Sequence, residues 1–165
     1  MALTQVAVPS PVGPWIVEGN SDGISRVYMP HEDAPSSPGV VDEVVLDAAT
    51  QLEEYFAGRR TNFSVRLHVT GTSFHNEVWN AVRSIPYGAV ASYGDIALTI
   101  GRPHAYRAVG NANNKNPWPV LIPCHRVVAA HSIGGYGGGL SVKEFLLELE
   151  GANWLERRVF SGEIS

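Results

Sequence analysis

The sequence predicts an α+β protein. A small N-terminal antiparallel sheet with one helix is expected over residues 1–71, followed over 72–165 by a mostly helical C-terminal domain containing a helix-turn-helix. Three observations predict this. Short β-branched and aromatic runs alternate with turn-forming clusters between residues 4 and 29. From Ser73 onward the apolar spacing becomes helical. The 165 residues, with 44% hydrophobic and 17% charged side chains, have the balance of a folded chain, enough for one ordinary domain or two small lobes.

Thr4–Val8, Trp15–Glu18 and Gly23–Met29 are the expected hairpin strands, separated by Pro-Ser-Pro-Val-Gly-Pro and Gly-Asn-Ser-Asp-Gly. Pro30 to Gly39, with three prolines and two serines, is expected to be a loop. Val45, Ala49, Leu52 and Phe56 then recur at helical spacing up to Gly58, which predicts an amphipathic helix with an acidic outer face. Phe63, Val65, Leu67 and Val69 alternate with Ser64, Arg66 and His68, the pattern of a half-buried strand, and Gly71 marks a boundary.

Beyond it, Phe74, Val78, Val82 and Ile85 lie on one helical face that Pro86-Tyr87-Gly88 ends. Ser92-Tyr-Gly-Asp95 is a capping box opening a short helix that stops at Gly101. Pro103 suits the first turn of another helix through about Ala112, with Arg102 at its N-cap, where Asn or Asp would cap better. The two form a helix-turn-helix candidate, although helix pairs are also common packing units. A second capping box, Ser141-Val-Lys-Glu144, is expected to open a last helix with Val142, Phe145, Leu146 and Leu149 facing inward. Glu150 falls one turn beyond Leu146, at the edge of that stripe, where a carboxylate needs a partner unless it turns out to water.

Composition excludes several classes. No apolar run is long enough to span a bilayer, and the N-terminus lacks both a basic segment and a continuous apolar stretch, so a cytoplasmic protein is expected. A single cysteine, Cys124, excludes an internal disulfide and any multi-cysteine zinc site. The net charge of -4 conceals a segregation: residues 73–131 carry 5 Lys+Arg against 2 Asp+Glu, while residues 1–72 carry 4 against 9 and residues 132–165 carry 3 against 5. A footprint for an anionic polymer is confined to the middle segment, and the signal is mild.

The chemistry concentrates between Asn116 and Val128. Three prolines interrupt an apolar run that ends in Cys124-His125-Arg126. Proline fixes the backbone and removes donors, so the segment presents the thiol in a set geometry and does not form a central strand. A lone cysteine in an apolar stretch is commonly a small buried hydrophobe. Here an imidazole and a guanidinium favour the reactive thiolate. His125 is expected to reach Cys124 through a turn or a bridging water, with Glu150 as the group that orients the imidazole.

Pro123-Cys124-His125-Arg126-Val127, preceded by Arg107-Ala-Val-Gly110 and Asn116-Pro117 and followed by Tyr136-Gly-Gly-Gly139-Leu and Lys143-Glu144, resembles the O6-alkylguanine-DNA alkyltransferases. The resemblance is close from about Thr72 to Gly151, and Ser10-Pro-Val-Gly-Pro14 resembles the start of that family's first domain. It implies direct repair of alkylated guanine in double-stranded DNA: after base flipping, the alkyl group passes irreversibly to the protein's own Cys124, with His125 as a base acting through water and Glu150 orienting it. Tyr93 matches the tyrosine that donates a proton to the departing guanine, and Arg107 the arginine that fills the vacated stack. The resemblance further implies DNA contacts from Ser92, Tyr106, Ala108 and Gly110. It implies a substrate pocket formed by Asn116, Arg126, Val127, Tyr136, Gly137 and Gly138, with Asn116 at a hinge. No cofactor, no metal and no membrane partner are implied, and a monomer is expected, with cooperative assembly on DNA left open. The chain departs from the family pattern at Tyr106, where many relatives have a small residue, and at Gly137, where some have serine. His31 and His68 have no cysteine beside them to complete the N-terminal zinc site of some members. Three other readings compete: a lesion sensor that transfers nothing, a Cys-His-Glu hydrolase and a sequence-specific regulator. The sensor is disfavoured because related proteins of that kind carry Trp in place of the reactive Cys.

Overall fold

The computed structural model describes residues 2–36 and 39–154. Ser37 and Pro38 of the expected loop, and residues 155–165 of the expected second domain, lie outside the described residues. The chain divides into two compact units. One comprises the described residues up to Val69 together with Pro117–Leu121, and the other comprises Thr70–Asn116 and the described residues from Ile122 on. Pro117–Leu121, expected in the second domain, therefore packs with the first.

In the first unit β1 (Thr4–Val8), β2 (Trp15–Asn20) and β3 (Gly23–Tyr28) form an antiparallel sheet in the order β1-β2-β3. β2 runs to Asn20 because Asn20 pairs with Gly23 across a two-residue turn, in which the Asn20 carbonyl oxygen Oδ1 accepts from the Asp22 amide at 2.8 Å. α1 (Glu43–Phe56) opens at Asp42, whose carboxylate accepts from the Val44 amide. Its buried face comprises Val45, Ala48, Ala49, Gln51, Leu52 and Tyr55, so Tyr55, and not the half-buried Phe56, completes the stripe.

The expected strand at 63–69 is not formed. Phe63, Val65 and Leu67 do alternate with exposed neighbours, but pairing is limited to one parallel bridge between Leu67 and Ile24. The reason lies at the free edge of β3. Ile24 exchanges backbone bonds with Arg66 and His68, and the Val27 amide donates to Pro117 O at 2.8 Å. The returning segment 117–121 takes the rest of the edge, and the Trp118 indole donates to Ile24 O at 2.7 Å. Within that segment Val120 adopts φ 74, a costly conformation for a β-branched residue.

The second unit holds α2 (Ser73–Arg83), β4 (Ala91–Ser92), α3 (Tyr93–Thr99), α4 (Tyr106–Asn114), a 3-10 helix (Cys124–Arg126), β5 (Val127–Val128) and α5 (Leu140–Leu149). The capping box at α3 forms as expected: Ser92 Oγ accepts from the Asp95 amide, and the Asp95 carboxylate accepts from the Ser92 amide at 2.8 Å. Two other expectations are corrected. Pro103 lies outside α4, because Arg102–Ala105 close a turn first, and Ala105 stands at the N-cap without a side-chain bond. α5 begins at Leu140 with Gly139 as its N-cap, so Ser141 lies inside the helix and no second capping box forms. α5 is also rotated: Val142, Lys143, Leu146 and Leu147 are buried, while Phe145 and Leu149 are half-buried.

Candidate active site

The short parallel pair β4–β5 sets the framework. Ala91 pairs with Val127 and Ser92 with Val128, so the first residue of α3, Tyr93, lies beside the chain that follows Cys124. α2 is locked to the end of α4 by the Trp79 indole, which donates to Ala112 O at 2.8 Å. At the end of α4 the Asn113 amide donates to Cys124 O at 3.2 Å, and Asn116 Nδ2 donates to Ile122 O at 2.8 Å. Both bonds hold the proline-bounded segment from the side of the helix-turn-helix.

Cys124, His125 and Arg126 are all buried in the 3-10 helix. The thiol lies 3.3 Å from the Tyr136 hydroxyl. Burial raises the Cys124 pKa, and hydrogen bonds from Tyr136 and Asn116 and the nearby Lys143 charge oppose that rise. The resting group is therefore a thiol. His125 Nε2 lies 2.7 Å from Glu150 Oε2 with both side chains fully buried, and burial lowers the imidazole pKa despite the carboxylate. His125 is thus neutral at rest, with Nε2 carrying the proton toward the carboxylate. Among the described residues its hydrogen bond is to Glu150 and not to Cys124.

Glu150 caps the C-terminus of α5 and is buried, so the alternative of a carboxylate turned to water is excluded. Arg126 meets it with two bonds, Nε to Oε1 at 2.8 Å and Nη2 to Oε2 at 3.0 Å, and donates its third to Ile85 O at 2.7 Å. Against the effect of burial, His125 and Arg126 hold the Glu150 carboxyl well below the usual carboxylate range. Arg126, expected to line the substrate pocket, is committed to this ion pair and supports the histidine from behind.

Lys143 was not legible as a site residue by its type, yet it is fully buried. Its ammonium donates to Val127 O at 2.7 Å and Gly135 O at 3.1 Å and lies 5.8 Å from the Tyr136 ring centroid. Burial brings its pKa down to about 8, with the Cys124 charge acting the other way. Gly134 at φ +77 admits this approach: a Cβ there would meet the Ala129 amide nitrogen at 3.1 Å, Tyr93 Oη at 3.4 Å and Lys143 Nζ at 3.5 Å. Tyr93 is half-buried, and burial, followed by the Cys124 charge, raises its pKa, so it keeps its proton.

The remaining expected residues separate into two groups. Val127 is buried in β5, while Gly137 and Gly138 lie in the turn before α5, where a Cβ on Gly137 would meet only open space. Tyr106, Arg107 and Ala108 are exposed on the first turn of α4, and Arg107 makes no hydrogen bond or ion pair among the described residues. Gly110 lies behind them, where a Cβ would contact the Tyr93 ring at 3.7 Å. Ser92, expected at the DNA surface, is instead buried as the cap of α3. Of the five basic residues between 73 and 131, Arg83, Arg102, Arg107 and Lys115 are exposed, and only Arg126 is internal. A separate cavity of about 420 Å³, lined in part by Ile133, Leu147, Ala152 and Trp154, includes none of the site residues. Among the described residues no three His, Cys, Asp or Glu side chains are grouped to hold a metal ion, and no helix is long and apolar enough to cross a membrane.

A buried Cys-His-carboxylate array behind an exposed, basic helix-turn-helix defines a thiol group-transfer site on a DNA-binding frame. Residues 73–152 match the family model of the 6-O-methylguanine DNA methyltransferase DNA-binding domain, and residues 6–69 match that of its ribonuclease-like domain. The chain belongs to the 6-O-methylguanine DNA methyltransferase family. It is 46% identical over 148 residues to the methylated-DNA--protein-cysteine methyltransferase of Methanosarcina acetivorans, covering 87% of this chain and 95% of that protein. The crystal structure of Mycobacterium tuberculosis O6-methylguanine methyltransferase superimposes with a TM-score of 0.81 at 41% identity, covering 90% of this chain and 93% of the other. The Mycobacterium tuberculosis protein in complex with DNA gives 0.79 at 42% identity, covering 88% and 91%.

Proposed function

We propose that this protein repairs O6-alkylguanine in double-stranded DNA, transferring the alkyl group once and irreversibly to its own Cys124. The observation that carries the reading is the sole cysteine of the chain, buried beside His125, which is itself bonded to Glu150. The target atom is inaccessible inside a duplex, so the nucleotide is first extruded, at a cost of about a few kcal/mol that a damaged pair lowers. Arg107, exposed on α4, is free to fill the vacated stack, with Tyr106, Ala108 and Gly110 on the same helix contacting DNA.

The thiol proton passes through a water to His125 Nδ1, and the imidazolium is held by Glu150, whose charge Arg126 maintains. The Cys124 thiolate attacks the alkyl carbon. An S–C bond forms, the bond from that carbon to O6 breaks, and its electron pair goes to the guanine, which takes the proton of Tyr93. Asn116, Val127 and the loop Tyr136–Gly138 line the base pocket, and the hydroxyl of Tyr136 donates to the thiolate. A thioether has no labile acyl bond, so turnover stops after one event. The protein acts as a monomer without a cofactor.

Intact-protein mass spectrometry after mixing with duplex DNA bearing one O6-methylguanine tests this. A gain of one methyl in place of one hydrogen, mapped to Cys124 and saturating at one per protein, is expected, and Cys124→Ala should bind DNA but gain nothing. Selective lesion binding without an adduct would point to a sensor, and neither binding nor adduct would overturn the reading.

A further inference from the structure

Asn113 carries the next step, which rests on His125 acting as a base through water. It sits in the last turn of α4 at 4% exposure, and its donation to Cys124 O fixes the amide: the NH₂ faces the carbonyl, so Oδ1 points elsewhere. That oxygen is buried without a hydrogen-bond partner among the described residues. The other buried side-chain atom in the same state is His125 Nδ1. Its sense is also fixed. The ionised Glu150 carboxylate can only accept, so Nε2 holds the hydrogen and Nδ1 offers a lone pair.

Two unmet buried acceptors therefore belong to residues tied to Cys124, one through the bond to its carbonyl and one as its neighbour in the chain. A water supplies two O–H donors and keeps lone pairs of its own, and a buried acceptor left unmet is costly. We infer that Asn113 is a positioning residue for proton transfer from Cys124: its Oδ1 and His125 Nδ1 accept both O–H bonds of one water, turning that water's lone pair toward the thiol. The S–H bond then breaks toward the water oxygen as a water hydrogen moves to Nδ1. This leaves a thiolate, a water and an imidazolium, with charge conserved. Without Oδ1 the water is free to rotate, and the relay is populated only part of the time.

The groups facing this relay are Glu150, Arg126, Lys143, Tyr136 and Tyr93, all retained in the variants below, so each variant is compared with the wild type at every pH. Single-turnover repair of a methylated duplex is measured from pH 5.5 to 9 for the wild type, Asn113→Leu, Asn113→Ser and His125→Ala. Wild type is expected to level off above the lowered His125 pKa. Asn113→Leu is expected to fall roughly 10²-fold at pH 7 and to keep rising with pH, because its thiol must ionise to solvent. His125→Ala should show the same unsaturated rise. Asn113→Ser, the milder change should Asn113→Leu fail to fold, is expected to lose the plateau in part. A pH-independent loss in both Asn113 variants would reduce Asn113 to holding the Cys124 carbonyl and overturn the inference, while loss of the plateau in His125→Ala would still uphold the base. A plateau kept in His125→Ala would overturn the base itself and the relay with it.

Discussion

The two units bury polar groups in opposite ways. The first buries Thr4, Glu18 and Gln51, and among the described residues hydrogen bonds meet them without a cation, Gln51 also donating to the Asp47 carboxylate at 3.0 Å. Glu18 accepts from Gln5 at 2.8 Å and from the Tyr28 hydroxyl at 3.5 Å, and Gln51 Oε1 accepts from the Ser64 amide at 3.0 Å. The second unit buries His125, Arg126, Lys143 and Glu150 around one thiol. Buried ion pairs are commonly no more stabilising than apolar residues of the same size, so packing does not account for this concentration of charge. The difference teaches where function was built: the first unit satisfies polar groups to close a sheet, and the second keeps charges out of water so that they act on Cys124 at full strength.

The sharpest way to break the contrast is to remove one charge from the second unit. Arg126→Met leaves Glu150 buried against a neutral imidazole and is expected to cost about 3–5 kcal/mol, read as a shift of the urea midpoint, with repair falling in the surviving folded fraction. A change of less than about 1 kcal/mol would mean that Glu150 is not charged. Lys143 offers a gentler test through pH. Its folded pKa of about 8 lies below its ordinary 10.5. Between these values the unfolded chain binds more protons, so its contribution raises stability as pH climbs through the window, whereas below pH 8 the cost of burying the ammonium is fully present. The full span is on the order of 3 kcal/mol. It should appear as a pH-dependent difference between wild type and Lys143→Met, a comparison that removes the titrations both share. A flat difference from pH 7 to 10.5 would show that the folded amine holds its proton just as the unfolded chain does, so that burial does not reach it.

Local signals were legible in the sequence and long-range ones were not. The capping box at Ser92–Asp95 spans three residues, and its reciprocal bonds formed as expected. The strand at 63–69 had the right alternation, but whether it pairs depends on the edge of β3, which Pro117 and Trp118 occupy from far along the chain. The Ser141–Glu144 pattern failed because Gly139 had already started α5. Cys124, His125 and Glu150 stood out because reactive side chains are conspicuous in an apolar setting, and the fold buries all three with His125 bonded to Glu150. Lys143 did leave a trace, since with Leu146, Leu147 and Glu150 it occupies one face at spacings of three, four and seven. Following that face, instead of the one through Phe145 and Leu149, would have placed it inside. Asn113 left none: an asparagine at a helix end is ordinary, and only the fold brings it to the Cys124 carbonyl.

The smallest expected effect tests the first unit. Glu18 is 6% exposed, yet it lies between the Gln5 amide and the Tyr28 hydroxyl with no bonded cation among the described residues. Glu18→Gln keeps the side chain's shape and one carbonyl acceptor for either neighbour, while the amide can turn its NH₂ toward the tyrosine oxygen. No opposite charge is stranded. The cost is therefore expected to be that of one exchanged hydrogen bond, about 0.5–1.5 kcal/mol, measured by urea denaturation beside Arg126→Met. Single-turnover repair should be unchanged, because no residue of the relay lies in this unit. A loss as large as that of Arg126→Met would mean that Glu18 is held by charge after all. The two units would then differ in the chemistry they carry and not in how they are held together.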